Sequence, residues 1–469
     1  MNKLRSICLF LTLPVCGFAQ VTLSSTSVSN LPSAPAPQAS SKPTGAAATP
    51  MGPQATVPQN VPGAPMTLSL KDAQALALRN NPQISVARLT ALASVQVTRE
   101  VRSNLWPTAS IDLTAVDANP GTRLTAGALN NPILYQRAAA GAMVTQLITD
   151  FGRTTNLVSS ANLAAKAENQ NALATKEQIL LAVDQAFYNS LQAHAILTVA
   201  QQTVKQRQTV SSQVDALFQS KLKSQLDLSF ANVNLAQAKL LLLDAQNNEN
   251  ATLTALSAVL GFSNLQSFQL VEDSAPSAPP PGNVDDLITT AFATRPEILS
   301  LEFQSESAKK FQTAERDLLF PDIRGIGVVG DTPVRNPIIS NWYGAVGVNI
   351  DIPVFNGFLY PARAREASLR AQATQERLRD LRDRISRDVR TSWLNATTAY
   401  DRLAVTQQLL DQANLALSLA QSRYNLGLGS IVELSQAQLQ LTQAQISDAQ
   451  AGYDYRLSLA VLQYQTSGI

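Results

Sequence analysis

The sequence predicts a mainly α fold with a transmembrane β part, written twice along the chain and unable to close on itself. Three observations carry this. From Arg153 to Leu260 there is no glycine and no proline in 108 residues, and Ala, Gln, Leu and Asn dominate, so strong helix formers meet no breaker. The halves on either side of a Pro-rich patch repeat one order of features. Short segments inside each half switch from helical to alternating periodicity. At about 1.5 Å per residue, even half of the Gly- and Pro-free stretch is a rod of roughly 80 Å, so the helices must lie along something elongated: a coiled coil, a filament or a tube.

Composition narrows the class. Hydrophobic residues make up 45% of the 469 residues but aromatics only 6%, so small alanines carry much of the burial, as in helices packed closely side by side. The formal charge of +2, from 36 basic and 34 acidic groups, points to no nucleic acid or other polyanionic partner.

Residues 1–19 read as an export signal: Lys3 and Arg5, an apolar run from Ile7 to Val15, then Gly17-Phe18-Ala19 before Gln20. Small residues at −3 and −1 fit cleavage after Ala19, and the run is far short of the ~20 residues that span a bilayer. Both cysteines, Cys8 and Cys16, fall inside it, leaving a mature chain without thiol or soft-metal ligand. Cys16 as a lipidated N-terminus is the alternative, against which Pro14-Val15 forms a poor lipobox. Residues 20–65 are Pro-, Ala- and Ser-rich with almost no charge, and read as a disordered tether. No later segment offers ~20 uninterrupted apolar residues, so membrane residence has to come from strands.

A Pro-rich linker, 274–282, separates repeat 1 (66–273) from repeat 2 (283–469). Pro82-Gln83-Ile84 meets Pro296-Glu297-Ile298 and Leu105-Trp106-Pro107 meets Leu319-Phe320-Pro321 at an offset of 214; Gly152 meets Gly357 at 205, and Asp227-Leu228-Ser229 meets Glu433-Leu434-Ser435 at 206. Each half reads as short helix, proline, helix, aromatic-Pro, two strands, Gly turn, very long helix, break, second long helix. Pro82 and Pro296 start helices, where a missing N–H costs nothing; Pro107 and Pro321 end them.

The expected strands are 108–116, 138–148, 322–330 and 343–352. In the clearest, Val346, Val348, Ile350 and Ile352 face one way and Ala345, Gly347, Asn349 and Asp351 the other, with Trp342 and Tyr343 at its start where an aromatic girdle belongs. Branched apolar residues out and small or polar residues in is the dyad of a membrane barrel strand; a half-buried soluble hairpin is the bland alternative. Four strands cannot close a barrel, whose minimum is about eight, so several chains must contribute. The last helix, Ile431 to about Gln465, carries two seams at seven-residue spacing, Leu434, Ala437, Leu441, Ala444, Ala451, Tyr455 and Leu439, Ile446, Tyr453, Ala460, with Gln436, Gln438, Gln440, Gln443 and Ser447 facing water.

The five segments LKDAQALALRNNPQI (70–84), DFGR (150–153), DDLITTAFATRPEI (285–298), DIPVFNGF (351–358) and RYNLGLGSIVELSQAQ (423–438), in this order on a tandem repeat, resemble the TolC-type outer-membrane efflux family. The resemblance covers roughly 66–466. It implies a homotrimer whose four strands per chain form a 12-stranded barrel in outer-membrane lipid, continued by a periplasmic α-helical barrel. A mixed belt comes from 66–75, 262–290 and the chain end, and strand loops near 117–136 and 330–341 face outside. The helix breaks at Ser220–Ser224 and Leu426–Ser430 form the periplasmic tip. Partners implied are a periplasmic adaptor (membrane fusion protein) and an inner-membrane transporter of RND, ABC or MFS type. Tyr424 is similar to the aromatic that latches the closed tip, and Glu433 to the acid of its narrowest ring, with Asp227 its first-repeat counterpart. Leu426-Gly427-Leu428-Gly429 resembles the adaptor-docking turn, matched in the first repeat by Lys221 and Leu222. Two departures stand out: Gly429 replaces a latch arginine and Gln436 a second acid, which weakens both the latch and the block to anions.

Bland readings absorb the rest. His194, the only histidine, lies mid-helix without triad or metal partners. The nine arginines of 363–390 form i,i+4 pairs (Glu366–Arg370, Asp380–Arg384, Asp383–Arg387) on a solvated helix face. Gly325 to Gly330 is a strand of small residues and not a phosphate loop. No Met or His tract points to copper or zinc. The expectation is a passive exit duct, not an enzyme, with no cofactor and no metal. The rival readings are a periplasmic coiled-coil adaptor or scaffold without a channel, and a soluble helical-bundle enzyme.

Overall fold

The structure, a computed structural model, describes residues 66–117, 137–264, 268–272, 278–332 and 340–466. The export signal with Cys8 and Cys16, the tether at 20–65, residues 274–277 of the linker and most of the two strand loops lie outside the described residues.

Each half lays down the same elements. The first has β1 (Met66–Leu68), α1 (Leu70–Asn80), α2 (Pro82–Ser103), β2 (Thr108–Val116), β3 (Arg137–Thr149), α3 (Arg153–Gln219) and α4 (Gln225–Val259). The second has β4 (Phe268–Leu270), α5 (Val284–Thr294), α6 (Pro296–Arg316), β5 (Asp322–Asp331), β6 (Trp342–Asp351), α7 (Leu359–Asn425) and α8 (Ile431–Thr466). Helices α3 and α7 are both 67 residues long, about 100 Å at 1.5 Å per residue. Among the described residues no helix is long and apolar enough to cross a membrane.

The caps follow the sequence. Pro82 and Pro296 open α2 and α6. The Asn81 side chain accepts from Gln83 N at 2.9 Å and donates to Val259 O at 3.0 Å, tying the α1–α2 corner to the end of α4. Gly261, at φ +84°, comes so close to that corner that a Cβ would lie 2.8 Å from Asn80 O. The other two prolines act differently from expectation. Helix α2 stops at Ser103 and α6 at Arg316, and a turn or a 3-10 segment (Asp317–Leu319) intervenes before Pro107 and Pro321. Proline constrains only the residue before it, and Phe320 is extended at ψ 157°. The strand-to-helix turn also differs: Phe151 and Gly152 both have positive φ, and so do Gly357 and Phe358. Starting residues Arg153 and Leu359 are 206 apart, so the structural partner of Gly152 is Phe358; pairing it with Gly357 slips the repeat by one residue.

The four strands form one antiparallel sheet in the order β2-β3-β5-β6. Strands β3 and β6 run 137–149 and 342–351. The apolar face carries Ile111, Leu113, Val329, Val346, Val348 and Ile350 in register, and none of the described residues covers it: Val346 is 94% and Leu113 81% exposed. Trp342 shares this face, but Tyr343 points the other way, its hydroxyl over Gly330 and Gly141. The expected girdle pair is therefore split by the pleat: one side chain out, one across the glycines.

The described residues have no single core. Buried clusters are strung along the helices, one at the belt (Leu68, Ala77, Val183, Phe187, Leu256, Leu260) and one at the tip (Val214, Ala231, Tyr424, Ile431, Leu434). The parallel β1–β4 ribbon lies at the belt, with Leu68 in that cluster and Phe268 packed on it. Trp393 Nε1 donates to Pro281 O at 2.6 Å and the Tyr455 hydroxyl bonds Ala278 O, strapping the described end of the linker onto α7 and α8. The first seam of α8 is buried throughout, whereas Leu439 of the second is exposed. Gln438 is a correction: it is buried and accepts a bond from the buried Arg207 of α3. His194 is exposed and bonded to Glu249 at 2.7 Å. Glu366–Arg370 and Asp380–Arg384 pair at 2.6 and 2.8 Å, but Arg387 takes its neighbour Asp388 at 2.9 Å in place of Asp383.

One buried carboxylate makes the belt pH-sensitive. Asp184 of α3 is 4% exposed, and Gln74 Nε2 of α1 donates to its Oδ1 at 2.6 Å. Burial pushes the carboxyl up from 3.8 to about 6, against the pull of the Gln74 bond. Between these values the folded chain keeps a proton that the unfolded chain releases. This group's contribution is therefore full below about pH 4 and is lost as pH rises through about 6. Asp184→Asn keeps an acceptor for Gln74 and never ionises. Its thermal midpoint is expected to exceed wild type at neutral pH by the equivalent of about 2–3 kcal/mol, with no advantage near pH 4; a variant less stable than wild type at neutral pH would overturn this account.

Candidate functional site

The two helix breaks fall where the sequence places them, at 220–224 and 426–430, and the structure brings both turns together. They are built alike. In the first, Lys221 N donates to Phe218 O and Leu222 N to Leu217 O, both at 2.9 Å; in the second, Gly427 N donates to Tyr424 O at 3.1 Å and Leu428 N to Arg423 O at 2.8 Å. The middle residue is left-handed in both, Lys221 at φ +60° and Gly427 at φ +73°, the usual close of an α-helix. A serine then starts the returning helix: Asp227 N donates to Ser224 Oγ at 3.2 Å and Glu433 N to Ser430 Oγ at 3.1 Å.

The four residues expected at the gate have unlike surroundings. Tyr424 is 7% exposed, packed among Val214, Ala231, Ile431 and Leu434. Lys223 of the other turn holds its Nζ 4.2 Å from the ring centroid, a cation–π contact joining the two turns. The Tyr424 hydroxyl is buried and has no hydrogen-bond partner among the described residues; burial and then the Asp227 carboxylate hold its pKa above the usual phenol value. Asp227 completes a capping box, accepting from Ser224 N at 3.0 Å and Ser224 Oγ at 2.7 Å, and the hydroxyl bond holds its pKa below the ordinary carboxylate value. Glu433 is exposed but paired, its Oε1 3.1 Å from Arg423 Nε. Gln436 is exposed, on the next turn of α8.

Among the residues expected at the docking turn, Leu222, Leu426 and Leu428 are strongly exposed, and Lys221 and Gly427 stand at the crests. Gly429 is confined. A Cβ there would lie 3.2 Å from Arg423 Cβ, 3.2 Å from Glu433 Oε2 and 3.3 Å from Tyr424 N, so a longer side chain displaces the Arg423–Glu433 pair. The sequence reading missed Lys223 and Arg423. Arg423 adjoins Tyr424 in the chain, but its partner is only visible once the turn is folded. Lys223 becomes a candidate when the two turns are aligned at an offset of 206, which places it opposite Gly429.

No group of three or more His, Cys, Asp or Glu side chains able to hold a metal exists among the described residues. What the tip offers is a hydrophobic plug around Tyr424, capped by a cation, beneath exposed leucines. Tyr424→Phe removes only an unpartnered hydroxyl and should leave stability unchanged or raise it by about 1 kcal/mol, whereas Tyr424→Ala should cost about 3–5 kcal/mol. Thermal unfolding in detergent checks both; equal losses in the two variants would mean that the hydroxyl is bonded after all.

The geometry has counterparts among known proteins. The outer membrane efflux protein family matches residues 74–262 and 287–465, one match in each half. The pyoverdine export outer membrane protein OpmQ of Pseudomonas putida is 30% identical over 60% of this chain and 58% of its own. The cation efflux system protein CusC of Escherichia coli is 27% identical over 62% of this chain and 64% of its own. The chain thus spans less than two thirds of the length of these two relatives. A crystal structure of CusC superposes with a TM-score of 0.75 at 19% identity, over 88% of this chain and 95% of that one. The outer membrane protein VceC of Vibrio cholerae superposes with 0.72 at 17%, over 85% and 96%. A two-fold family match, over repeats that also share the fold of solved efflux channels, leaves one assignment: the chain belongs to the outer membrane efflux protein family.

Proposed function

We propose that the chain is one third of a passive exit duct in the outer membrane, a homotrimer that receives substrates from an inner-membrane transporter through a periplasmic adaptor. The observation that carries this is the sheet. Strands β2 and β6 are its two edges, both unpaired among the described residues, and β6 is exposed along its whole length. Open edges recruit other strands. Because all three pairings are antiparallel, β6 of one chain meets β2 of the next antiparallel as well, and three copies close a 12-stranded barrel without breaking the pattern. Ten-residue strands at about 3.3 Å per residue, tilted by roughly 40°, cover about 25 Å, the height of the apolar band of such barrels. A coiled-coil adaptor or scaffold without a channel leaves both edges and the apolar face with nothing to do.

Below the barrel, α3, α4, α7 and α8 continue the wall to the tip. Tyr424 closes it, and Glu433 and Asp227 line the approach. Each Glu433 comes with its Arg423, and Gln436 adds no charge, so a threefold ring here carries less net negative charge than bare carboxylates and discriminates weakly between cations and anions.

The trimer is tested with cysteines, since the sequence has none beyond Cys16. Pairing Ile111→Cys on β2 with Val348→Cys on β6 and oxidising in outer membranes should give covalent trimers, and neither single variant should. The duct is tested in planar lipid bilayers: purified trimers should conduct ions, and more so with Tyr424→Ala and Glu433→Gln. Silent bilayers with verified trimers of that double variant would remove the duct reading.

A further inference from the structure

The two tip turns share a backbone and differ in charge. At an offset of 206, Ser220-Lys221-Leu222-Lys223-Ser224 stands against Leu426-Gly427-Leu428-Gly429-Ser430. At the left-handed position the second repeat uses Gly427, with no Cβ to clash; the first holds Lys221 at φ +60°, which an L side chain disfavours. Such an outlier persists where the surroundings enforce it or where the side chain is wanted. The Lys221 side chain is exposed and forms no hydrogen bond or ion pair among the described residues. The neighbouring charges are already committed. Lys223 lies on the Tyr424 ring. Asp227, the only carboxylate between Ser220 and Phe230, is taken by Ser224. In the second turn Arg423 and Glu433 neutralise each other. One turn therefore presents a free cation beside exposed Leu222 and Leu226, and the other presents exposed Leu426 and Leu428 without free charge.

From this we infer that the first-repeat turn is the charge-selecting half of the docking surface: Lys221 receives a carboxylate from the tip of the adaptor's helical hairpin, while the second-repeat turn receives an apolar tip alone. The inference rests on the reading of the tip as the adaptor-docking end. It makes the two seats inequivalent, so that in a trimer cationic and neutral seats alternate around the axis and the adaptor hairpins bind in two different registers.

The experiment uses full-length trimers in detergent and, as probe, a purified periplasmic adaptor of an outer membrane efflux system, with affinity measured at low and high salt. Lys221→Gly installs the residue that the second repeat already carries at this φ, so the turn keeps its fold while losing its charge; an undiminished thermal midpoint checks that. Wild-type binding is expected to weaken with salt, and Lys221→Gly to bind roughly five- to tenfold more weakly at low salt with a flatter salt dependence. Lys221→Arg should retain affinity. Lys221→Glu should lose more than Lys221→Gly and recover when the adaptor's tip carboxylates are changed to lysine. Unchanged affinity and salt dependence in Lys221→Gly would overturn this inference and leave the docking reading standing. An adaptor that fails to bind wild-type trimers at all would remove the docking reading and this inference together.

Discussion

Everything about the tip depends on two helices having the same length. Helices α3 and α7 each start after a pair of left-handed residues and each run 67 residues before their turns. One residue more or less in either displaces its turn by about 1.5 Å and rotates it by about 100°. The Lys223–Tyr424 contact, the shared cluster of Val214, Tyr424 and Ile431, and the common level of both turns exist only because the counts agree. A compact domain can absorb a length change in a loop; a pair of 100 Å rods has nowhere to put it except at the far end.

Rods of this length cannot be held by one core, and the packing shows what replaces it. Alanine is the commonest buried residue, so backbones approach closely where it recurs and those contacts are shallow. Alanine faces are smooth and mark axial position poorly. Small polar pairs supply that mark: Asn234 Nδ2 donates to Ser435 Oγ at 2.7 Å between α4 and α8, and Ser300 Oγ donates to Asn171 Oδ1 at 2.6 Å between α6 and α3. Sliding one helix past the other by a residue strands these groups half-buried, at a cost of about 1–3 kcal/mol each. The buried Arg207–Gln438 pair does the same nearer the tip. Register is thus set by a ladder of single hydrogen bonds, and alanines supply only proximity.

Much of this was legible in the residues. The helix breaks at 220–224 and 426–430, the proline starts of α2 and α6 and the buried stripe Leu434 to Tyr455 are local or periodic signals, and the structure reproduces them. Failures came where a signal was read one step beyond its reach. Proline at 107 and 321 forbids helix at one residue, not at the three before it. Gly152 and Gly357 align by identity, but the constraint is a pair of left-handed residues, and the second repeat reverses their order to Gly-Phe. Gln438 looked like a wetted glutamine because its partner, Arg207, lies on another helix of the same chain. Neither Tyr424's partner nor Glu433's was readable, since one belongs to the other turn and the other to the opposite side of its own.

The left-handed positions also separate two kinds of strain. Phe151 and Phe358 hold bulky side chains at φ +54° and +64°, where a residue of this shape costs on the order of 1–3 kcal/mol. Their rings are exposed within the chain and pair with Phe320 and Phe355 at centroid distances of 5.8 and 5.7 Å. Both sit where strand turns into helix, which in a membrane-seated barrel is the lipid–water boundary. Burying a phenylalanine of 150 Å² or more at about 25 cal/mol per Å² gains roughly 4 kcal/mol, enough to outweigh the strain, and water supplies no such gain. Lys221 bears the same backbone penalty at the other end of α3, with no apolar area to recover and no hydrogen-bond or ion-pair partner among the described residues. Burial in lipid offsets the first strain; the second fits the carboxylate that we infer at the first-repeat turn.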